Sequence, residues 1–474
     1  MEAVSLREAR SQEPEDVFSF WLLASGFSKT HRLPTQPLLA SGFLLLASGC
    51  SLLASSCSLN AGTNVGLAST REQLHLCLTE RSGLSSLSID MDNTSRRDFL
   101  KVAAGSGIAL TSTGQPAAAQ AKSQLAVTQA ANRLPKWRGF NLQYLYRVNR
   151  GLREPQEDHF KWISDWGFDF VRMPMTYRAW LKKKPRESEP IQEKDVYEVD
   201  EGGLELVDKA ITYGDKYGIH VSLCFHRAPG YYIGLTKDTT EPFILWRDQA
   251  AVDAFAFHWE LFARRYKGVA KEKISFNLLN EAPWPNDDFN GEVYKNRIAP
   301  AVAAIRAVSP ERIIIADGAG AGNLCVPEII PLGIDQSVHC YIPGNISHYK
   351  VSWMRDKTEW PEPKWPGALD DAGYIWDRKR MDEFYTPWKR LIEQGIGVHM
   401  GETGGSNHLP WPVFRAWLTD VLEICKDLGI GYALWDFIGA SRFGILDSDR
   451  ADVEYEDWYG HKLHREMLTL LQKY

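Results

Sequence analysis

The stretch Ile274–Pro283, which reads Ile-Ser-Phe-Asn-Leu-Leu-Asn-Glu-Ala-Pro, joins a short apolar run to an abrupt polar ending. The apolar half is typical of a buried strand, and the proline predicts that the strand stops at Glu281. The carboxylate would then lie at the carboxyl end of its strand. Taken alone, the pattern fits equally well a strand followed by an acid that caps the next helix.

A second stretch of the same kind lies far downstream. Residues Gly397–Glu402 are again mostly apolar, again end on a glutamate, and are followed by Gly404 and Gly405. In a barrel of parallel strands, the carboxyl ends of all strands open on one face, and the chemistry of such barrels is found there. The two stretches together therefore predict two carboxylates on one face of a barrel.

The alternation of strand-like and helix-like segments after Leu134 supports this architecture. Strands are predicted over Arg138–Leu142, Phe168–Met173, His220–His226, Ile274–Glu281, Arg312–Asp317, Ser337–Ile342, Gly397–Glu402 and Tyr432–Phe437. Helices are predicted over Leu204–Tyr217, Ala250–Tyr266, Tyr294–Val308, Met381–Gln394 and Pro412–Leu428. Eight strands alternating with helices favour an α/β fold, a closed (β/α)8 TIM barrel over residues 134–474, rather than a doubly wound open sheet.

The longest connection falls between the sixth and seventh predicted strands. It carries Trp353, Trp360, Trp365 and Trp376 together with several prolines. This composition predicts an ordered loop over the active face.

Polar or aromatic residues stand at or near the ends of six predicted strands. They are Arg172, His226, Asn280, Glu281, His339, Tyr341, Glu402 and Trp435. Unpaired polar groups that converge on one mouth cost stability, so a purely structural role does not explain the whole set.

This set resembles glycoside hydrolase family 5, the cellulase family of retaining β-glycosidases, over about Leu134 to Tyr474. The resemblance implies that Glu281 is the acid/base and Glu402 the nucleophile, with no metal and no cofactor. It also implies a substrate-binding and supporting set of Arg172, His226, Asn280, His339, Tyr341, Trp435 and Trp284. The usual Asn-Glu-Pro reads Asn-Glu-Ala-Pro here, and His226–Gly230 resembles the exo-glucanase branch.

Retaining hydrolysis needs one neutral and one ionised carboxyl group about 5–5.5 Å apart. We expect Arg172 to hold Glu402 ionised and Tyr341 to donate a hydrogen bond to it, while Asn280 binds the sugar 2-hydroxyl. The expected substrate is β-glucan, cleaved internally or from an end. The alternatives are mannan or another β-linked glycan, and a non-catalytic carbohydrate-binding barrel.

One glycine-rich motif, Asp317–Gly322, faintly resembles a dinucleotide-binding loop. It lacks the third glycine at the proper place, so we interpret it as a barrel turn.

The first 133 residues differ from the rest. Leu-Leu-Ala-Ser recurs from residues 22, 38, 45 and 52, and residues 1–90 are predicted to be low-complexity, either disordered or preceding a true start at Met91. Residues 91–121 read as a twin-arginine signal peptide, with the motif at Ser95–Lys101 and small residues at Ala117–Ala121, and 122–133 as a linker. A bacterial periplasmic or extracellular location is expected.

The amino-acid composition limits the classes of partner that this chain is expected to bind. A net charge of −6 gives no basic footprint, which argues against nucleic acid. The four cysteines after Met91, namely Cys224, Cys325, Cys340 and Cys425, show no paired spacing and predict free thiols. We expect a monomer that binds a polysaccharide or oligosaccharide and has no stable membrane association after signal cleavage.

Overall fold

The computed structural model describes residues 131–234, 240–354, 357–439 and 442–474, and the backbone of a separate antiparallel hairpin, Leu74–Glu80 with Gly83–Ile89. The hairpin lies within the segment predicted to be low-complexity. The twin-arginine motif, the predicted cleavage site and most of the predicted linker fall outside the described residues. The end of that linker is described, and Asn132 donates hydrogen bonds to the carbonyls of Val398 and Gly429.

Eight parallel strands form a closed barrel, which confirms the predicted (β/α)8 fold. The strands are β1 (Arg138–Asn141), β2 (Phe170–Thr176), β3 (His220–Ala228), β4 (Ile274–Asn277), β5 (Ile313–Asp317), β6 (Asp335–Cys340), β7 (Val398–Thr403) and β8 (Gly431–Leu434). Each strand pairs with the next one along the chain, and β8 pairs with β1. Nearly all strand residues are buried, as expected for a parallel sheet covered by helices.

Helices surround the barrel. The longer ones are α1 (Glu157–Asp165), α2 (Glu201–Tyr217), α3 (Gln249–Arg265), α4 (Gly291–Val308), α5 (Arg378–Glu393), α6 (Trp411–Leu428) and α7 (Arg465–Lys473). Shorter helical turns span Tyr177–Trp180, Glu193–Tyr197, Ala319–Gly322, Pro327–Leu332 and Gly344–Ser347, and short strands span Tyr231–Tyr232, Ala368–Leu369, Ile375–Trp376, Glu456–Trp458 and His461–Leu463. No described helix has the length and hydrophobicity that a membrane span requires.

Two strand boundaries differ from the prediction in ways that affect the site. Strand β4 ends at Asn277, not at Glu281, because the regular hydrogen-bond pattern of the sheet stops there. Leu278 N still donates to Ile315 O on β5, whereas Asn280 N donates to Phe225 O on β3. Strand β2 continues to Thr176, so Arg172 lies inside the strand rather than at its end.

Most tryptophan side chains pack in the hydrophobic core. Trp180, Trp259, Trp388 and Trp417 are among the largest fully buried side chains. Burial of such rings between helices and barrel is a large part of the hydrophobic stabilisation.

The connection between β6 and β7 reaches the active face only in part. Trp353 stacks on Phe443 with ring centroids 5.8 Å apart, and both belong to a small cluster with Trp435 at the barrel mouth. By contrast, Trp365 donates its Nε1–H to Asp420 on α6, 2.7 Å away, which fixes that ring against the barrel's outer helices.

Two adjacent glycines at the start of α2 allow a test of how closely this helix packs on the Tyr177–Trp180 turn. A Cβ on buried Gly203 would lie 2.4 Å from Ala179 O and 2.6 Å from Trp180 Cα, whereas a Cβ on exposed Gly202 meets only the Asp200 side chain at 3.3 Å. We expect Gly203→Ala to destabilise the protein by roughly 1–3 kcal/mol through overpacking. Thermal unfolding measures the effect.

The matched variant Gly202→Ala should be neutral or stabilise by about 0.4–1 kcal/mol, because alanine restricts the unfolded chain at a position where it fits the helix. Equal destabilisation by both variants would contradict the described packing of α2 on the Tyr177–Trp180 turn.

Candidate active site

The buried guanidinium of Arg172 on β2 contacts residues of five other strands. It donates to Glu402 Oε1 (2.6 Å), Asn277 Oδ1 (2.8 Å), Asn280 Oδ1 (2.8 Å), Asn141 Oδ1 (3.1 Å) and Asp317 Oδ2 (3.1 Å), and its Nη2 lies 3.0 Å from Cys224 Sγ. Only 1% of the residue is exposed. A buried cation is stable only when paired and hydrogen-bonded, and these partners meet that condition.

Glu402 lies on β7 beside a local irregularity of the strand. The pairing register of β7 with β6 shifts between Met400 and Glu402, and such a bulge re-aims the side chain that follows it. One carboxylate oxygen meets Arg172, and the other accepts a hydrogen bond from the Tyr341 hydroxyl at 3.1 Å.

Burial raises the pKa of Glu402 to about 7, against the opposing positive charges of His339 and Arg172. The contact expected between Arg172 and Glu402 is therefore present, and the ionisation of Glu402 stays a prediction. Desolvation of the carboxylate outweighs the ion pair.

Glu281 stands on a strained backbone after β4. Its φ of +48° is in the left-handed region, which costs free energy for a residue other than glycine. Two hydrogen bonds hold it there: its N–H donates to Asp317 Oδ2 (3.1 Å), and its carbonyl accepts from the Tyr231 hydroxyl (2.6 Å). Its side chain is 14% exposed and faces the mouth of the barrel.

His339 lies between the acidic groups of the site. Its Nδ1 is 3.0 Å from Glu281 Oε1 and 3.9 Å from Glu402 Oε2, and its Nε2 is 3.0 Å from Asp317 Oδ2. Burial lowers its pKa, but the charges of Asp317 and Glu402 outweigh that effect and raise the pKa to about 10. The imidazole is therefore protonated at neutral pH. The same pairing with His339 and Arg172 overcomes burial and holds the pKa of Asp317 well below its usual range.

The two glutamates are close together. Oxygen and nitrogen atoms of Glu281, His339 and Glu402 lie within 4.8 Å of one another. Such a group could in principle hold a metal ion, but a metal-binding histidine must be deprotonated, and the surrounding carboxylates favour the protonated form of His339. That the site holds no metal stays a prediction, and the chemistry of this donor set supports it.

The mouth of the barrel offers polar and aromatic groups for a ligand. Asn280 uses its Oδ1 for Arg172, and its Nδ2 is buried without a hydrogen-bond partner among the described residues. The ring of Trp435 stacks on His226 with centroids 5.7 Å apart, and the ring of Tyr146 packs edge-on against both. Trp284, three residues after Glu281, is 39% exposed.

All nine residues predicted for the site lie around this mouth, although their roles stay predictions. Sequence reasoning missed Asn141, Asn277 and Asp317, which bind Arg172 from β1, β4 and β5. A signal was present for Asp317, because it is the polar last residue of a predicted strand. It was interpreted only as part of a glycine-rich turn.

The family sequence profile "Cellulase (glycosyl hydrolase family 5)" matches residues 126–441, which is more than half of the chain. The chain belongs to glycosyl hydrolase family 5. This membership makes the protein a glycoside hydrolase and disfavours the non-catalytic alternative.

Individual relatives agree with this assignment. Cellodextrinase A of Ruminococcus flavefaciens is 30% identical over 255 residues, which cover 52% of this chain and 68% of that protein. Endoglucanase C of Acetivibrio thermocellus is 28% identical over 328 residues, covering 63% and 88%. A solved structure described as a glycoside hydrolase has a TM-score of 0.65 at 36% identity, covering 71% of this chain and 99% of the other.

The environment of Glu402 predicts the acid limb of this family 5 enzyme's pH profile. If Glu402 is the nucleophile, as the resemblance implies, it must attack as a carboxylate, so kcat/KM should fall as the pH drops through about 7, where Glu402 becomes protonated. Tyr341→Phe removes a hydrogen bond to the charged form and should move this limb upward by about one pH unit. A pH series of kcat/KM measures both effects.

Tyr432→Phe is the matched control, because the buried Tyr432 hydroxyl on β8 donates to Leu471 O, at 2.7 Å, away from Glu402. It should leave the limb in place. A limb that stays fixed in Tyr341→Phe, or that moves equally in both variants, would refute the role of Tyr341.

Proposed function

We propose that this protein hydrolyses β-linked glucan with retention of configuration, with Glu402 as nucleophile and Glu281 as acid/base. The observation that carries the proposal is that one carboxylate oxygen of Glu281 lies within 4.8 Å of one of Glu402, which places the two groups in the closer of the two known arrangements. Retaining glycosidases have carboxyl groups about 5–5.5 Å apart, whereas inverting ones leave about 6.5–9.5 Å for a water molecule.

In the first step, Glu281 gives its proton to the glycosidic oxygen while Glu402 attacks the anomeric carbon. The bond to the leaving sugar breaks, and an ester to Glu402 forms. In the second step, Glu281 accepts a proton from water, and that water displaces Glu402 from the sugar. Two inversions at the same carbon give net retention.

The surroundings of the two glutamates support this division of roles. Glu402 is held at both oxygens by Arg172 and Tyr341, which fixes it for attack along one direction. Glu281 is the more exposed of the two, and the exposed Trp284 follows it in sequence, where a leaving sugar could stack.

The choice of β-glucan is supported by the relatives, and the free donor of Asn280 supports a glycoside as the substrate. The two related proteins are named an endoglucanase and a cellodextrinase. The unpartnered Nδ2 of Asn280 is suited to donate to a sugar 2-hydroxyl, an interaction that strengthens in the transition state.

The test of the roles uses Glu281→Ala on two aryl β-cellobiosides. With a phenyl leaving group, which needs protonation, kcat/KM should fall by about 100-fold or more. With a dinitrophenyl leaving group the first step should largely survive, and added azide should restore turnover by replacing the base-assisted water. The product, identified by NMR, should be the β-glycosyl azide.

Glu402→Gln is the control, since it should lose nearly all activity on both substrates and form no β-configured azide product. An α-configured product, or azide rescue of Glu402→Gln alone, would exclude the proposed roles. Wild-type enzyme should also prefer soluble β-glucan to β-mannan, and the reverse order would exclude the proposed substrate while leaving the mechanism in place.

We propose further that the protein is exported by the twin-arginine route. The motif at Ser95–Lys101 and the small residues at Ala117–Ala121 support this, and the family match begins just afterwards, at residue 126. N-terminal sequencing of protein from a bacterial culture should find a mature chain that begins near Lys122. A mature chain that retains Arg97 would refute the proposal, and Arg96→Lys with Arg97→Lys should abolish export.

A further inference from the structure

The carboxylate of Asp317, the last residue of β5, is fully buried. Polar groups contact it from β2, from β6, and from β4 with the loop that follows β4. Its Oδ1 accepts from Asn277 Nδ2 at 2.8 Å. Its Oδ2 accepts from Arg172 Nη2 and from the backbone N–H of Glu281, each at 3.1 Å, and lies 3.0 Å from His339 Nε2. Because Asp317 is fully buried, we expect any effect on the reaction to be exerted through its neighbours.

The turn that follows Asp317 is hydrogen-bonded to the loop that carries Glu281, the proposed acid/base. Gly320 N donates to Pro283 O (2.8 Å), and Ala321 N donates to Ala282 O (2.9 Å). The fit is close, because a Cβ on Gly322 would lie 2.7 Å from His339 Cβ. Asp317 and its turn therefore contact Glu281 through its backbone and through the histidine beside its carboxyl group.

The contact with His339 has a chemical consequence for Glu281. Nε2 lies at ion-pair distance from Asp317 Oδ2, 3.0 Å, without the alignment of a hydrogen bond, and Nδ1 is hydrogen-bonded to Glu281 Oε1 at 3.0 Å. When Glu281 releases its proton to the leaving oxygen, the new carboxylate faces a charged N–H donor. Such preorganised donors stabilise charge as it develops, without reorientation during the step.

We propose that Asp317 is a positioning residue for the acid/base step, acting through His339 and through the backbone of Glu281. This inference rests on the proposed acid role of Glu281. It predicts a specific kinetic pattern, because a residue that serves the acid matters most where the leaving group needs a proton.

The test compares Asp317→Asn with wild type on aryl β-cellobiosides of graded leaving-group acidity. Asparagine keeps the shape of the side chain but removes the charge that pairs with His339. We expect kcat/KM to fall by about 100-fold for the phenyl glycoside and by less than about 10-fold for the dinitrophenyl glycoside, which is the pattern of an impaired acid.

Asp335→Asn is the matched control. Asp335 is also a buried barrel carboxylate, but it begins β6 at the opposite end, where it pairs with Arg133 and accepts from Gly397 N. We expect that variant to lower thermal stability without a dependence on the leaving group. A loss in Asp317→Asn that is equal for all leaving groups would overturn the proposal, since it would place the effect on Arg172 and Glu402 instead.

A second measurement needs no Asp317 variant. In wild-type enzyme labelled with ¹⁵N-histidine, the His339 resonances, assigned by their loss in His339→Gln, should show both ring nitrogens protonated at pH 8. A neutral ring with an unprotonated Nε2 would overturn the proposal. Failure of the proposed function itself is distinguishable, because Glu281→Ala would then lack the leaving-group dependence that serves as the reference.

Discussion

The burial of Arg172 at the centre of the barrel is the constraint on which the site depends. A guanidinium removed from water is tolerated only with well-placed acceptors, and here the oxygen acceptors on strands come from β1, β4, β5 and β7. The acceptors on these four strands are in turn restricted to one orientation, since their other atoms have partners of their own. The Nδ2 of Asn280, in the loop after β4, has no such partner among the described residues. A buried polar network that is satisfied in one arrangement only fixes the positions of the strands as well as the side chains.

The same network gives the two glutamates different environments. Glu402 lies deep beside Arg172, where desolvation and ion pairing oppose each other and leave its pKa near 7. Glu281 lies higher, and its nearest cation is His339, whose charge is maintained by Asp317. Two identical side chains within 4.8 Å thus lie in different surroundings, one deep beside a guanidinium and the other nearer the mouth beside an imidazole.

Much of this arrangement was predictable from the sequence, because strand periodicity and strand order are local properties that a barrel converts into positions. Residues as distant as Arg172 and Glu402 were thus expected at one mouth, and they are 2.6 Å apart. How much each of these residues contributes to the site was not predictable from the sequence. Asp317 has the same place in its strand as other predicted site residues, yet its importance comes from atoms of β2, β4 and β6 that only the folded chain brings to it.

The backbone at Glu281 shows the same limit at the level of a single residue. Periodicity predicted a strand that runs to this glutamate, but its φ of +48° ends any regular strand there. The extra alanine of Asn-Glu-Ala-Pro lies in the turn that results, and its carbonyl is taken up by Ala321 N. Strain of this kind persists only where the surroundings impose it. At Glu281 they do so through hydrogen bonds to Asp317 and Tyr231, so the turn after β5 and the acid/base loop have to be understood as one unit.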